Sequence, residues 1–398
     1  MKPESTAPAN LGRITLILGA LTAFTPLAID MYLPALPAME AQFSAAPGQV
    51  QFTLALYFIG LALGQVVFGP LSDRYGRLKP LFAGCVIFVL ASLACALAPD
   101  VETLSVLRFV QALGGSSSMV VARAMVRDIY PPREVARAFS LLMLVLGVAP
   151  ILAPMLGSYM LIWFGWQAIF LTLALVSAVV LVPAWLLLKE SHPGPYKPLT
   201  LGGVLGAYGK LLVDRNFLGY TLASGLPTAG MFAYIAGSPF LFIQVYGLDP
   251  QHYGWLFGAN AVGMIAASQI NRTLLKRFSP ESMIPPLGLF QAAVTAVFLA
   301  AVWIEPASVW LLIVPLFFVM APQGMLMPNG GAAALSGVGQ GVGTASALIG
   351  ILQFAMGGIS SALVGALADG TGRPMALIML VGTFGGWLAR ALLVKPRS

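Results

Sequence analysis

The sequence predicts an all-α membrane protein of twelve transmembrane helices in two six-helix bundles. Three observations predict it. Apolar residues make up 59% of the chain, charged residues only 9%, and the mean hydropathy is +0.89. A soluble domain carries about 25% charged residues, so this chain has too few to cover a water-facing surface. Apolar runs of about 18 or more residues recur along its length, each able to cross the ~30 Å hydrocarbon core as a helix. A closed barrel needs short alternating strands instead. Finally, Lys and Arg gather in alternate connections.

The elements follow from run length and turn residues. The first span is expected over residues 11–36. Its polar leader, MKPESTAPAN, has no cleavage site of small residues after the run, so the run reads as a retained helix and not a signal peptide. The second span covers 49–68 and ends in GPLSDRYGRLKPL, Gly69 to Leu81. There Asp73, Arg74, Gly76, Arg77 and Lys79 make a tight basic turn between two apolar arms. The third span, 80–98, holds Cys85 and Cys95 as packing residues. The fourth covers 102–125 and the fifth 136–161. Within the fifth, GVAPILAPMLG (Gly147 to Gly157) reads either as a hinge or as ordinary membrane-helix Gly and Pro. The sixth is 166–188.

A polar connection at 189–215 then divides a bundle at 1–188 from one at 216–398. The remaining spans are 216–245, 252–273, 283–303, 308–328, 342–367 and 374–394. The repeat between the halves is weak: NRTLLKRFSPE stands where the first half has SDRYGRLKP, but lacks its Gly and Asp.

The charges orient the spans. With the N-terminus inside, Lys2, Arg13, Arg74, Arg77, Lys79, Arg123, Arg127, Arg133, Arg137, Lys189, Lys197, Lys210, Arg215, Arg272, Lys276, Arg277, Arg390, Lys395 and Arg397 fall on the cytoplasmic side. Only Arg373 falls outside, and Arg108 lies within a helix. Both termini and the linker are therefore expected in the cytoplasm. The net charge of +7 is loop bias and not a nucleic-acid surface. The connection AAALSGVGQGVG is uncharged and is placed by counting alone.

Asp30 and Arg108 are the ionisable residues at membrane depth, where such groups are costly and mark function. Each lies roughly 9 Å below the outer boundary, from opposite directions. An Asp–Arg pair across a cavity is the economical expectation. In the functional version Asp30 takes up and releases a proton and Arg108 tunes it. In the other version the pair is static, or Asp30 caps a bend before Pro34. His192 and His252 lie too near the surfaces to compete. The residues expected around a substrate cavity are Tyr32, Tyr57, Gln111, Phe232, Tyr234, Asn260 and Gln353. A mostly apolar cavity with a few amides suits a modestly polar organic ligand. No metal cluster or catalytic triad spacing is present, and GVGQGVG lacks the Lys-Ser/Thr of a phosphate loop.

GPLSDRYGRLKPL resembles the signature between spans two and three of the major facilitator superfamily. RFVQALGGSSS resembles the fourth-span motif of its proton-driven exporters, and GVAPILAPMLG their fifth-span antiporter motif. IDMYLPALPAM, MVRDIYPPRE and GTASALIGILQF are similar to the Bcr/CflA subfamily of bicyclomycin and chloramphenicol resistance exporters.

The resemblance implies a drug:proton antiporter of the bacterial inner membrane, working by alternating access. It implies no cofactor, with protons as coupling ion. It gives proton coupling to Arg108 and Asp30. Gly69, Asp73, Arg74, Gly76 and Arg77 become a gating motif, with Asp73 capping span two against span eleven in the outward-facing state. Gly147, Pro150, Pro154 and Gly157 become the interface between halves. Ala149 and Ala153 stand where the motif favours Gly, and Thr22 and Thr25 where some related exporters carry a second acid.

The implied cargo is a small hydrophobic drug such as bicyclomycin, chloramphenicol or a sulfonamide. The implied partner is the bilayer, with no nucleic acid, and a monomer is the default. The rival with the same fold exports a native metabolite or amino acid. A membrane-embedded enzyme would show paired acids, His or metal ligands at one depth, and a sensor would carry a soluble domain.

Overall fold

The computed structural model describes residues 11–192, 201–339 and 341–394. Lys2, Lys197, Lys395 and Arg397 of the charge pattern lie outside the described residues. Every regular element among the described residues is helical.

The first span is broken: α1 (Leu11–Thr22), α2 (Phe24–Asp30), a 3-10 turn (Leu33–Ala35) and α3 (Leu36–Gln42). Pro26, Pro34 and Pro37 offer no N–H, and the Ala23 N–H is shared between the Gly19 and Ala20 carbonyls at 3.2 Å each. The break ends α2 at Asp30. There follow α4 (Gln51–Tyr75), α5 (Leu78–Ala96), α6 (Val101–Ile129), α7 (Pro132–Phe164) and α8 (Gln167–Leu187). A short helix, α9 (Leu201–Val213), interrupts the connection between halves. Then come α10 (Arg215–Pro239), continued by a π-helical turn (Phe240–Val245), α11 (Pro250–Leu274) and α12 (Pro280–Ile304). The tenth span breaks at Ala321–Pro322 into α13 (Trp310–Met320) and α14 (Gln323–Leu335), and α15 (Val342–Ala366) and α16 (Arg373–Leu393) finish the chain. With the broken helices joined, this is the twelve-helix plan. Among the described residues eleven segments are long and apolar enough to cross a membrane; the 25-residue α11, with Asn260, Gln269 and Asn271, is not among them.

The basic turn is shorter than its sequence implies. α4 continues through Pro70 to Tyr75, so Asp73 and Arg74 sit in its last turn and only Gly76 and Arg77 separate it from α5. Gly76 ends the helix at φ +87°, where a side chain would be strained. By alternation this turn, the α6–α7 turn and the α11–α12 turn share one end of the bundle, the basic end. Trp163, Phe164, Trp303 and Trp310 are exposed at the far end, as expected of rings at a membrane–water boundary.

α6 packs on α4 and α5 as the centre of the first half, and α10 on α14, α15 and α16 as the centre of the second. Small residues allow backbone contact: a Cβ on Gly114 would lie 2.6 Å from the Gly84 carbonyl oxygen. Two seams join the halves, α4 against α15 and α7 against α11. The outer faces are apolar, as Leu175, Val179, Val182 and Trp185 on α8 show.

Candidate functional site

Asp30 ends α2 and is 5% exposed. It opens onto a cavity of about 190 Å³ between the halves, lined also by Ile29, Pro150, Met231, Tyr234, Asn260 and Met264. The Asn260 amide donates to the Tyr234 hydroxyl at 2.9 Å. The Tyr234 ring stacks on Phe257, with centroids 5.5 Å apart. The cavity wall is thus mainly thioether, aromatic and aliphatic, with one carboxyl, one hydroxyl and one amide.

Arg108 on α6 is fully buried, and its partners correct the expected ion pair. No cation lies within 4.0 Å of the Asp30 carboxylate among the described residues. Arg108 instead donates to Gln111 Oε1 at 2.6 Å and to the Ala28 carbonyl at 3.0 Å. Its guanidinium carbon lies 4.1 Å from the Tyr57 ring centroid, 4.5 Å from Tyr32 and 5.7 Å from Phe170. The reason is the face of α2. The carbonyl of Ala28, in the last turn of α2, meets α6. Asp30 is two residues on and faces a cavity walled by α7, α10 and α11. The depth match inferred from sequence brings Arg108 to the first span, beside the acid and not onto it.

The other expected cavity residues divide into three places. Tyr234 and Asn260 line the Asp30 cavity. Tyr32 and Tyr57 wrap Arg108; the Tyr32 hydroxyl pairs with Thr53 Oγ1 at 2.7 Å, and that of Tyr57 donates to the Thr25 carbonyl at 3.5 Å. Gln111 passes the hydrogen-bond chain on, donating to Ser92 Oγ at 2.7 Å. Phe232 packs on Phe58 across the halves, at a centroid distance of 4.3 Å, and on Phe354 at 6.0 Å. Gln353 is buried on α15. Sequence reading missed Met231, Met264, Met320 and Phe257 in the cavity. Their only signal is that the first three are flexible apolar side chains suited to an irregular wall.

At the basic end Arg77 ties three segments together. It donates to Asp73 Oδ1 at 2.5 Å, Asp128 Oδ2 at 2.7 Å and Ser72 Oγ at 3.1 Å. Glu190, beyond α8, accepts from the Arg77 N–H at 2.8 Å and the Leu78 N–H at 3.2 Å, capping α5. Burial works against this carboxylate, but the backbone N–H groups of Arg77, His192, Leu78 and Ser191 outweigh it and hold its pKa below the usual range. Arg74 lies over the Tyr75 ring at 5.3 Å.

Asp73 keeps 56% of its side-chain surface exposed, with Arg77 as its partner and nothing from α15. The seams explain why. At the far end a Cβ on Gly365 would lie 2.6 Å from the Gly48 oxygen, so α15 and the turn before α4 touch backbone to backbone. Midway, a Cβ on Gly350 would lie 2.6 Å from Gln65 Oε1. Toward the basic end, a Cβ on Gly69 or Gly343 would meet nothing within 4 Å.

The second seam behaves alike. Ser158 Oγ donates to the Pro250 oxygen at 2.7 Å, and a Cβ on Gly254 would lie 3.2 Å from Met155 Cα. A Cβ on Gly147 would reach only the tip of Ile265, at 3.6 Å. Below it the seam parts into a cavity of about 750 Å³ lined by Phe139, Met143, Gln269 and Arg272. Of the fifth-span motif, Gly147 therefore faces the other half, Pro150 lines the Asp30 cavity and Pro154 accepts from Ser158 at 2.7 Å. Gly157 faces its own half, against Met31. The molecule is closed at the far end and open at the basic end.

The model of the Major Facilitator Superfamily matches residues 18–362. The chain is 37% identical to the uncharacterized MFS-type transporter YdgK of Bacillus subtilis, over 98% of each. It is 30% identical to a bicyclomycin resistance protein homolog of Haemophilus influenzae, over 92% of each. It is also 30% identical to a chloramphenicol resistance protein of Pseudomonas aeruginosa, over 90% of this chain and 84% of that one. In structure it is similar to a bacterial homolog of the human lysosomal transporter Spinster, solved inward-facing and unoccupied. The TM-score is 0.77 at 15% identity, covering 97% of this chain and 96% of that one.

Proposed function

The chain belongs to the Major Facilitator Superfamily, and from that premise we propose that it is a secondary active drug exporter exchanging small hydrophobic drugs for protons. The observation that carries the coupling is Asp30, a buried carboxyl in a cavity shared by both halves with no cation bound to it. A carboxyl so placed is where a proton or a cargo group binds, because leaving it charged and alone is costly. Arg108 is held beside it on the neighbouring backbone and supplies a fixed positive field.

The positive-inside pattern supports reading the basic end as the cytoplasmic face of a bacterial inner membrane. The cavity between α7 and α11 is the entrance this reading assigns to drug arriving from the cytoplasm or inner leaflet. Closing α4 on α15 at Gly69, and opening at Gly48 and Gly365, would turn the cavity outward. Asp73, Arg74 and Arg77 are placed to mark that change, Asp73 exchanging its present exposure for a contact on α15. Bicyclomycin, chloramphenicol and sulfonamides fit the apolar wall with its few polar groups.

The test is proton movement in proteoliposomes under an imposed pH gradient, read by an internal pH dye. Addition of chloramphenicol or bicyclomycin should trigger proton flux, and Asp30→Asn should abolish it. Flux that survives in the variant removes Asp30 from coupling. Folded wild-type protein that responds to no drug points to a native metabolite or amino acid as cargo.

A further inference from the structure

A second cavity, of about 210 Å³, lies between the halves at the far end. Glu40 and Gln51 line it from one half, and Gln244, Phe240, Val364 and Met375 from the other. Among the described residues, no Lys, Arg or His lines it. Gln51 is 3% exposed, and its Oε1 has no hydrogen-bond partner. The Glu40 carboxylate is faced by the Gln244 amide and the Gly48 backbone N–H, yet its buried Oε2 has no partner either. Buried polar atoms are nearly always satisfied. The Glu40 carboxylate can only accept, and the Gln51 amide can turn its oxygen to the cavity, so a donor placed there would satisfy both. Gln244 sits on the π-helical turn after Pro239, a local irregularity that recurs at functional sites.

We propose that this cavity is a cation site that takes a primary ammonium group on a compact apolar body. One carboxylate with neutral oxygens calls for a single positive charge. An ammonium brings three donors for the orphaned acceptors. The cavity is several times the roughly 30 Å³ share of a water molecule, and Phe240, Val364 and Met375 offer a hydrocarbon wall. The site spans both halves, so it exists only while the far end is closed. Occupancy therefore favours the closed far end, because a ligand shifts an equilibrium toward the state it binds. On the proposed topology, on which this last step rests, an external amine holds the exporter shut to the outside.

The experiment titrates phenethylammonium into the purified full chain by calorimetry at neutral pH. Wild type should bind it. Glu40→Gln should weaken binding by about tenfold to hundredfold, the worth of a charged hydrogen bond. Asp30→Asn should bind as wild type does, which separates this cavity from the central one. Replacing choline chloride with sodium chloride should not displace the amine. No binding to folded wild type, indifference to Glu40→Gln, loss in Asp30→Asn, or displacement by sodium would each overturn the proposal. Proteoliposomes provide the second arm: external phenethylammonium should slow drug-triggered proton flux in wild type and not in Glu40→Gln. Amine binding at Glu40 without any drug-triggered flux would leave the site standing and remove the export reading.

Discussion

Arg108 donates to the carbonyl of Ala28, two residues from Asp30, and forms no ion pair with Asp30 itself. The two charges are neighbours through backbone and not partners. That distinction has consequences for stability. Neutralising one member of a buried pair typically costs about 3–5 kcal/mol. Here Asp30→Asn should leave the thermal midpoint in detergent unchanged or raise it, since it removes an uncompensated buried carboxyl. A midpoint several degrees lower would mean that the pair exists.

Arg108 should tolerate no substitute. Lysine cannot reach Gln111 Oε1 and the Ala28 carbonyl as a planar fork while keeping close to both the Tyr32 and Tyr57 rings. Arg108→Lys should lose about 1.5–3 kcal/mol, the worth of one charged hydrogen bond, measured by thermal or chemical denaturation. A variant as stable as wild type would contradict this role.

The α4–α15 seam should respond oppositely at its two ends. Gly365→Val puts atoms where the Gly48 carbonyl now sits, and should bias the molecule toward opening at the far end. A Cβ at Gly69 meets nothing within 4 Å, so Gly69→Val should fold normally and hinder closure at the basic end. Spin-label distances between the basic ends of α4 and α15 should shorten in the first variant and stay long in the second.

Glu190 should make acid a specific stress on the basic end. Its folded pKa is depressed, so its stabilisation is complete above the ordinary glutamate pKa and disappears as pH falls through the folded value. Glu190→Gln should flatten the acid limb of a stability-against-pH curve and leave the alkaline limb alone. Identical curves would show that the α5 cap contributes nothing.

Narrowing the central cavity should discriminate by cargo size. Met264→Phe stiffens one wall of the Asp30 cavity. It should raise KM severalfold for a bulky drug and less for a small one, with proton flux per turnover unchanged. Equal effects on all drugs would place the cargo elsewhere.

The membrane class and the spans were legible in the sequence because apolar run length is a direct image of bilayer thickness. α11 was found as a run even though its amides leave it less apolar than the other spans. That Asp30 and Arg108 come to matching levels was legible too, since rise per residue is fixed. Their orientation was not. It depends on where proline breaks the first span, and each residue of helix gained or lost turns a side chain by about 100°. α9 was hidden because LGGVLGAYGKLLV is rich in glycine, a poor helix former, and its Tyr208 and Leu211 find a partner only when Phe217 and Leu348 arrive from elsewhere in the chain. Glu190 capping α5 spans more than a hundred positions, which no local pattern announces.

The backbone contact of Gly48 with Gly365 has an electrical consequence. Where the halves part at the basic end a cavity of about 750 Å³ opens; where these two glycines touch, the backbones leave no room for a side chain between them. On the proposed topology this contact is a narrow part of the barrier across which the membrane voltage would fall. A charge crossing the whole potential gains about 2.3 kcal/mol per 100 mV, and on the proposed topology the share of that drop taken up at the far end would act on whatever crosses there. On that reading the glycine contact would act as part of the dielectric of a capacitor whose plates are the two solutions.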